Sequence, residues 1–109
     1  MTLDRYDDGI ADLDPGPGEV ETTELVVEDD VLVKAFALGP GAEVRPHDHP
    51  DSTNVFHVLD GTVTVIQEAQ REEVHAPGVV LHERGVDHGA RNETETTVVF
   101  TASLCPLPS

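Results

Sequence analysis

Short stretches of apolar residues, separated by turn-forming residues, follow one another along most of this chain. Thr62–Val65 alternates polar and apolar side chains, which is typical of a strand with one buried face. We predict strands over Thr22–Val27, Val31–Leu38, Ala42–His49, Asn54–Leu59, Thr62–Gln67, Gly78–His82, His88–Asn92 and Thr96–Ser103. About eight to ten short strands at this spacing indicate a closed barrel or sandwich.

The connections between these segments are short, and two carry specific turn signals. Asp60-Gly61 stands between two predicted strands and predicts a two-residue hairpin. Gly85 precedes His88 by three residues and permits a sharp turn that aims the imidazole inward. The charged segment Glu68–Glu73 is interpreted as a loop.

The first twenty residues differ from the rest. They are acidic and contain Pro15-Gly16-Pro17-Gly18, which neither a helix nor a central strand tolerates. We interpret residues 1–20 as an extended arm that lies over the barrel or reaches toward a partner subunit. Residues 21–109 are predicted to form one barrel domain, since 109 residues suffice for a single core.

The charge balance restricts the expected partners. The chain has 22 acidic residues against 6 lysines and arginines, which gives a formal net charge of −16. Such a surface repels nucleic-acid phosphates and anionic lipids, so we expect neither nucleic acid nor a membrane as partner. Lys34 is the only lysine, and scarce lysine with many carboxylates is typical of proteins from extreme halophiles.

Cysteine usage and the N-terminal composition indicate the compartment. Cys105 is the only cysteine, so no intramolecular disulfide can form and a reducing compartment is expected. The acidic start lacks the basic residues and apolar run of a signal peptide, and no apolar stretch approaches the length of a membrane helix. We therefore expect a soluble, cytoplasmic protein.

Three of the six histidines form a candidate metal site. His47 and His49 lie two apart on a predicted strand, so both rings leave the same face, and the turn at Gly85 brings His88 toward them. Imidazole nitrogens bind transition metals at about 2.0–2.1 Å. Since iron, manganese, nickel, copper, cobalt and zinc all accept imidazole, the pattern predicts one divalent transition metal ion without identifying it.

The spacing around these histidines resembles the two sequence motifs of the cupin superfamily. The first motif is matched in every spacing by Gly41, His47-Asp48-His49, Asn54 and Gly61, and the second is similar in Gly78, Gly85, His88 and Asn92. The resemblance covers about residues 31–103. It implies an all-β double-stranded β-helix (jelly-roll, cupin) barrel, a homodimer, and a metal ion held inside the barrel.

The departures from the family pattern concern the ligand set. Cupins usually have a glutamate ligand at the position of Asn54 and a proline at the position of Glu83, and the spacing from Gly78 to Glu83 is one residue short. The resemblance therefore implies His47, His49 and His88 as ligands without the carboxylate. Asn54 is interpreted as a weak fourth ligand, as a group that positions substrate or metal-bound water, or as a polar core residue.

Two further residues are candidates for substrate binding. Arg45 shares strand parity with His47, so it either points inward toward a substrate anion or lies at the rim beside a surface acid. His82 is a candidate proton carrier or extra ligand of the pocket. His57 is out of phase with Asn54 and is expected on the outer face.

The resulting functional hypothesis is a metal-dependent enzyme that acts on a small polar or anionic molecule. Some cupins that oxidise thiols or cleave diketones with oxygen have a three-histidine iron site, which makes an iron(II) dioxygenase the most specific interpretation. A non-catalytic module that binds a small ligand or a metal is the alternative. A barrel that holds no metal is the third, and the substrate stays open.

Overall fold

The computed structural model describes residues 2–108 and consists almost entirely of strands. Met1 and Ser109, the ends of the predicted arm and barrel, lie outside the described residues. The elements are α1 (Asp8–Ala11), β1 (Val20–Glu28), β2 (Val31–Leu38), β3 (Glu43–His47), β4 (Thr53–Asp60), β5 (Thr62–Gln67), β6 (Gln70–His75), β7 (Gly78–His82), β8 (His88–Arg91) and β9 (Val98–Cys105). Within residues 2–108, no helix is long and apolar enough to cross a membrane.

Two antiparallel sheets form the body of the molecule. One has the strand order β1-β2-β9-β4-β7 and the other the order β3-β8-β5-β6. Neighbouring strands in both sheets are mostly distant in sequence, and this connectivity is typical of a jelly roll. The predicted fold class, an all-β double-stranded β-helix, is confirmed.

The apolar core lies between the two sheets. Phe100 stacks on Phe36 with ring centroids 5.0 Å apart and meets Phe56 at 4.8 Å. Along β4, Asn54, Phe56 and Val58 are buried while the residues between them are more exposed, as alternation requires. The inner face of β4 therefore runs from a polar end, at Asn54, to the apolar core at Val58.

The predicted hairpin at Asp60-Gly61 is wrong. β4 pairs with β7 and β9, whereas β5 pairs with β6 and β8, so the two strands belong to different sheets. Gly61 has φ +81°, and a Cβ there would lie 3.1 Å from the Thr97 carbonyl oxygen. The glycine thus allows the chain to turn from one sheet into the other beside the start of β9.

The predicted loop over Glu68–Glu73 is also wrong in its second half. Gln70–His75 forms β6, which pairs with β5 along its whole length. Arg71, Glu72 and Glu73 are all exposed, so the strand lacks the apolar alternation that would reveal it in the sequence. β6 is the edge of its sheet, where charged side chains discourage pairing with another molecule.

The N-terminal segment lies against the barrel of its own chain. The Gly18 N–H donates a hydrogen bond of 2.7 Å to the Pro40 carbonyl, and the Gly39 N–H donates one of 2.9 Å to the Glu19 carbonyl. The segment includes the short helix α1 where an extended arm is predicted. Asp8 in the first turn of α1 favours that helix through the local dipole.

Asn92, which follows β8, joins the end of β2 to the loop before β9. Its side-chain amide donates to the carbonyls of Leu38 and Thr96 at 2.8 and 2.7 Å, and its oxygen accepts from both the N–H and the hydroxyl of Thr94. The residue is 1% exposed. The side-chain amide therefore makes these hydrogen bonds out of contact with solvent.

We predict that Asn92→Ala lowers the free energy of unfolding by about 3 kcal/mol, because it removes four hydrogen bonds of a buried amide, one of them to the carbonyl of the buried Leu38. Urea unfolding monitored by circular dichroism measures the change. Glu95→Ala, an exposed substitution in the same loop, is the control and should change the value by less than about 0.5 kcal/mol. A loss below about 1 kcal/mol for Asn92→Ala would contradict this role of the Asn92 side chain.

Candidate metal centre

His47 and His88 face each other across the β3–β8 ladder. His47 ends β3, His88 begins β8, and the two residues are register partners. The register shifts between Val44 and His47, where a Cβ on Gly89 would lie only 2.7 Å from the Val44 carbonyl oxygen. Only glycine permits this close approach, so the irregularity of β3 and Gly89 together set the position of the pair.

His49 reaches the same point from a loop and not from the strand. β3 ends at His47, which corrects the predicted strand up to His49. The His49 carbonyl accepts hydrogen bonds from the N–H groups of Gly85, at 3.1 Å, and Ser52, at 3.4 Å. Gly85 has φ +78°, which confirms the sharp turn predicted there. The loop after β3 is therefore tied to the turn before β8.

The three rings converge. Ring centroids lie 4.8 Å apart for His47 and His88, 5.0 Å for His47 and His49, and 5.6 Å for His49 and His88. One nitrogen from each ring lies within 4.8 Å of the other two. Ligands on one ion at about 2.1 Å lie roughly 3 Å apart, so the three nitrogens would move closer together to bind one ion.

Hydrogen bonds fix the ligating nitrogens of two rings. The Nδ1 of His47 lies 2.7 Å from the Arg45 carbonyl oxygen, and the Nδ1 of His88 lies 2.9 Å from that of Val86. A carbonyl accepts only, so Nδ1 carries the proton in both rings and Nε2 presents its lone pair. This carbonyl–imidazole arrangement is the one that orients metal-bound histidines.

Asn54 lies directly at the lone pair of His88. Its Nδ2 donates a hydrogen bond of 2.9 Å to His88 Nε2, and its Oδ1 is buried without a hydrogen-bond partner. Rotation of the amide by half a turn exchanges the two atoms and directs the oxygen toward the ligand nitrogens. The unpaired oxygen, together with three imidazole lone pairs, fits a borderline transition metal ion.

Burial favours the neutral form of two of the three rings, His49 and His88. The pKa of His88 is lowered by burial, which outweighs the opposing hydrogen bond to Val86, and the pKa of His49 is lowered by burial and by its histidine neighbours. Neutral rings keep the lone pairs that a metal needs. Protons therefore compete less with a metal at His49 and His88 than at exposed imidazoles.

His82 lies behind His88 and is fully buried. Its ring stacks on that of His88 with centroids 4.3 Å apart, and its Nδ1 accepts a hydrogen bond of 2.9 Å from Gln67 Nε2. Its Nε2 has no partner, and burial, with His88 and His47, lowers its pKa to about 4. Within residues 2–108 the converging group consists of His47, His49 and His88, and His82 is not a member.

Arg45 and His57 lie outside this arrangement. Arg45 is exposed, and its carbonyl rather than its guanidinium contacts the cluster. The side chain does not line the cavity beside the histidines. His57 is exposed between the buried residues Phe56 and Val58, which agrees with the expected outer-face position.

A cavity of about 150 Å³ opens beside the cluster. His47, His49 and Asn54 form its polar end, and most of the remaining wall is apolar. A larger cavity of about 400 Å³ lies around β5, β6 and β7, but no histidine lines it. The smaller cavity is therefore the one that the candidate metal ligands line.

Two neighbours of the site were missed from the sequence: Lys34 and Gln67. Lys34 lines the cavity, and Gln67 holds His82. Phe56, an expected residue of the barrel lining or core, lies with its ring centroid 5.7 Å from that of His88. The sequence does contain a signal for Lys34, because Lys34 and Phe36 lie two apart on β2 and therefore face the same side of the strand. The contact of Gln67 joins two sheets, and no local pattern reports it.

Comparison with known proteins identifies the family. Residues 35–104 match the cupin domain model, which spans more than half of the chain. None of the curated proteins matches the sequence at a significant level.

Solved structures share the fold at low sequence identity. TT1209 from Thermus thermophilus superposes with a TM-score of 0.87 at 22% identity, covering 97% of this chain and 100% of its own. A predicted oxalate decarboxylase from Thermotoga maritima gives 0.77 at 24%, covering 83% of each chain. KdgF from Halomonas sp. gives 0.76 at 19%, covering 87% of this chain and 86% of its own. The family match and the shared architecture together show that this chain belongs to the cupin family.

Proposed function

We propose that the chain binds one divalent transition metal ion through His47, His49 and His88 and acts as a metal-dependent enzyme on a small polar or anionic molecule. The convergence of three imidazoles, two of them with Nδ1 held by a backbone carbonyl, is the observation that carries this proposal. Iron, manganese, nickel, copper, cobalt and zinc all suit such a donor set.

The surrounding residues define what the site can do. A bound ion supplies a Lewis acid and, in the case of iron, an electron donor toward oxygen. Asn54 offers either its amide hydrogens or its oxygen to a ligand beside His88. Phe56 and Phe100 line the cavity and exclude water from its inner wall.

An iron(II) dioxygenase is the most specific form of this proposal. Three neutral imidazoles leave the full charge of +2 on the ion and leave coordination positions for substrate and oxygen. The amide at Asn54 preserves that charge, whereas the carboxylate usual in the family would reduce it.

A non-catalytic binding module is the second candidate, and the composition of the cavity favours it. None of the described residues that line the cavity has a carboxyl group. His82 is the nearest additional imidazole, and its Nδ1 is already occupied by Gln67. A dedicated acid–base pair is therefore not evident among residues 2–108.

We predict that protein purified without a histidine tag contains about one transition metal ion per chain, and that His47→Ala and His88→Ala lose most of it. Elemental analysis measures the content. His57→Ala, which removes an exposed imidazole on the outer face, should keep the wild-type amount. Wild-type protein without stoichiometric metal would overturn the proposal and leave a metal-free barrel.

We expect the iron-loaded protein to consume oxygen with at least one of the thiols, diketones or phenols in a substrate panel. The rate should exceed that of His88→Ala by more than about tenfold, because this variant lacks a buried ligand. An oxygen electrode measures the rate, with free iron(II) as the blank. No turnover together with tight binding of a panel member would instead support the binding module.

We propose that the protein is a homodimer joined through the outer face of β4, β7 and β9. The outward-facing residues there are Val55, His57, Val79, Leu81, Thr101 and Ser103, paired across the strands and without a charged side chain. Val79 and Leu81 are 68% and 52% exposed on the edge strand β7. Two chains of charge −16 approach best through an uncharged face, so the proposed occupant is a second copy.

Leu81→Glu should convert the dimer into a monomer, because the isologous contact would hold two additional carboxylates. Sedimentation velocity in salt of fixed concentration measures the mass. Val27→Glu adds the same charge at an exposed position on β1 and should leave the dimer intact. A monomeric wild type, or a dimer that survives Leu81→Glu, would contradict this interface.

We propose a cytoplasmic protein of a halophile, on the basis of 22 acidic residues, a single lysine and a single cysteine. A small-molecule ligand is the proposed partner, whereas nucleic acid and anionic membranes are disfavoured by the net charge.

A further inference from the structure

Lys34 is the cation that faces the cavity in front of the histidines. Leu32, Lys34 and Phe36 alternate along β2 and line the cavity together. Lys34 is the only lysine in a chain with 6 basic and 22 acidic residues. Because Lys34 lies beside the candidate metal ligands, its positive charge favours an anionic ligand there.

No carboxylate of the described chain neutralises this ammonium group. Glu24 is the register partner of Lys34 across β1 and β2, yet within residues 2–108 no carboxylate oxygen lies within 4.0 Å of Lys34 Nζ. The Nζ lies 5.4 Å from the centre of the Phe36 ring, which holds the side chain over the cavity wall. The group is thus available to an anion that enters from solvent.

The rest of the cavity favours a ligand whose remaining part is apolar and small. Its apolar lining includes Val44, Phe56, Phe100, Ala102, Leu104 and Pro108. The volume is about 150 Å³. An apolar cavity of about this size accommodates one benzene molecule, which bounds the body of the ligand.

We propose that Lys34 binds the anionic group of a small organic acid whose apolar body, about the size of one six-membered ring, fills the cavity toward the histidines. The proposal deepens the proposed function by naming its substrate class. The recognition itself requires no metal, because the ammonium group and the apolar wall belong to the chain alone.

Isothermal titration calorimetry of chelator-treated protein with benzoate and benzamide at pH 8 tests the proposal. The two probes have similar shape and differ in charge. Wild type should bind benzoate about tenfold more tightly than benzamide, and Lys34→Gln should weaken benzoate about tenfold while changing benzamide less than about twofold. Lys34→Arg should keep the preference.

Arg5→Gln is the matched control, because it changes the net charge equally at a residue that is paired with Asp7 and 72% exposed. It should bind both probes as wild type does. The proposal is overturned if wild type binds neither probe or does not distinguish them. It is equally overturned if Lys34→Gln keeps the preference, or if Arg45→Gln removes it instead. Since this experiment uses metal-free protein, its result is independent of the metal analysis.

Discussion

The pairing of β3 with β8 at His47 and His88 is the constraint on which the site depends. Both rings donate from Nδ1 to the carbonyl two residues earlier, at Arg45 and Val86 respectively. The same local hydrogen bond therefore selects the same tautomer on two adjacent strands. Gly89 allows the backbone of β3 to approach closely enough for the two rings to meet. His49 then completes the set from a loop held by Gly85.

Charged groups and neutral polar groups occupy different parts of this molecule. The acidic residues of the chain are concentrated on the exposed surface, while the polar end of the interior holds neutral imidazoles and the amide of Asn54. The amide at Asn54 avoids a buried carboxylate, which would need a paired cation or a metal at all times. A neutral interior with one ammonium group at Lys34 offers an anion a favourable place inside an otherwise repulsive field.

The sequence predicted the fold class and the histidine cluster because both rest on local regularities. Alternation marks strands with one buried face, and the spacing of His47, His49 and His88 resembles that of cupins. The errors arose where the determining contact is distant. Asp60-Gly61 has the composition of a hairpin turn, but which strands pair is decided by β9 and β8, far along the chain. The strand β6 is exposed at an edge and lacks any alternation.

Buried polar side chains lie next to the site, although apolar side chains would pack there as well. Asn54 and His82 are register partners on β4 and β7, and Asn54 Oδ1 and His82 Nε2 are both buried without a partner. Since Gln67 donates to Nδ1 of His82, the Nε2 of this ring carries a proton and faces the interior as a donor. Apolar residues of similar volume would remove both unsatisfied groups and their cost to stability. The barrel thus retains an unpaired donor and an unpaired acceptor beside His88, and these two groups support the proposal that a ligand binds there.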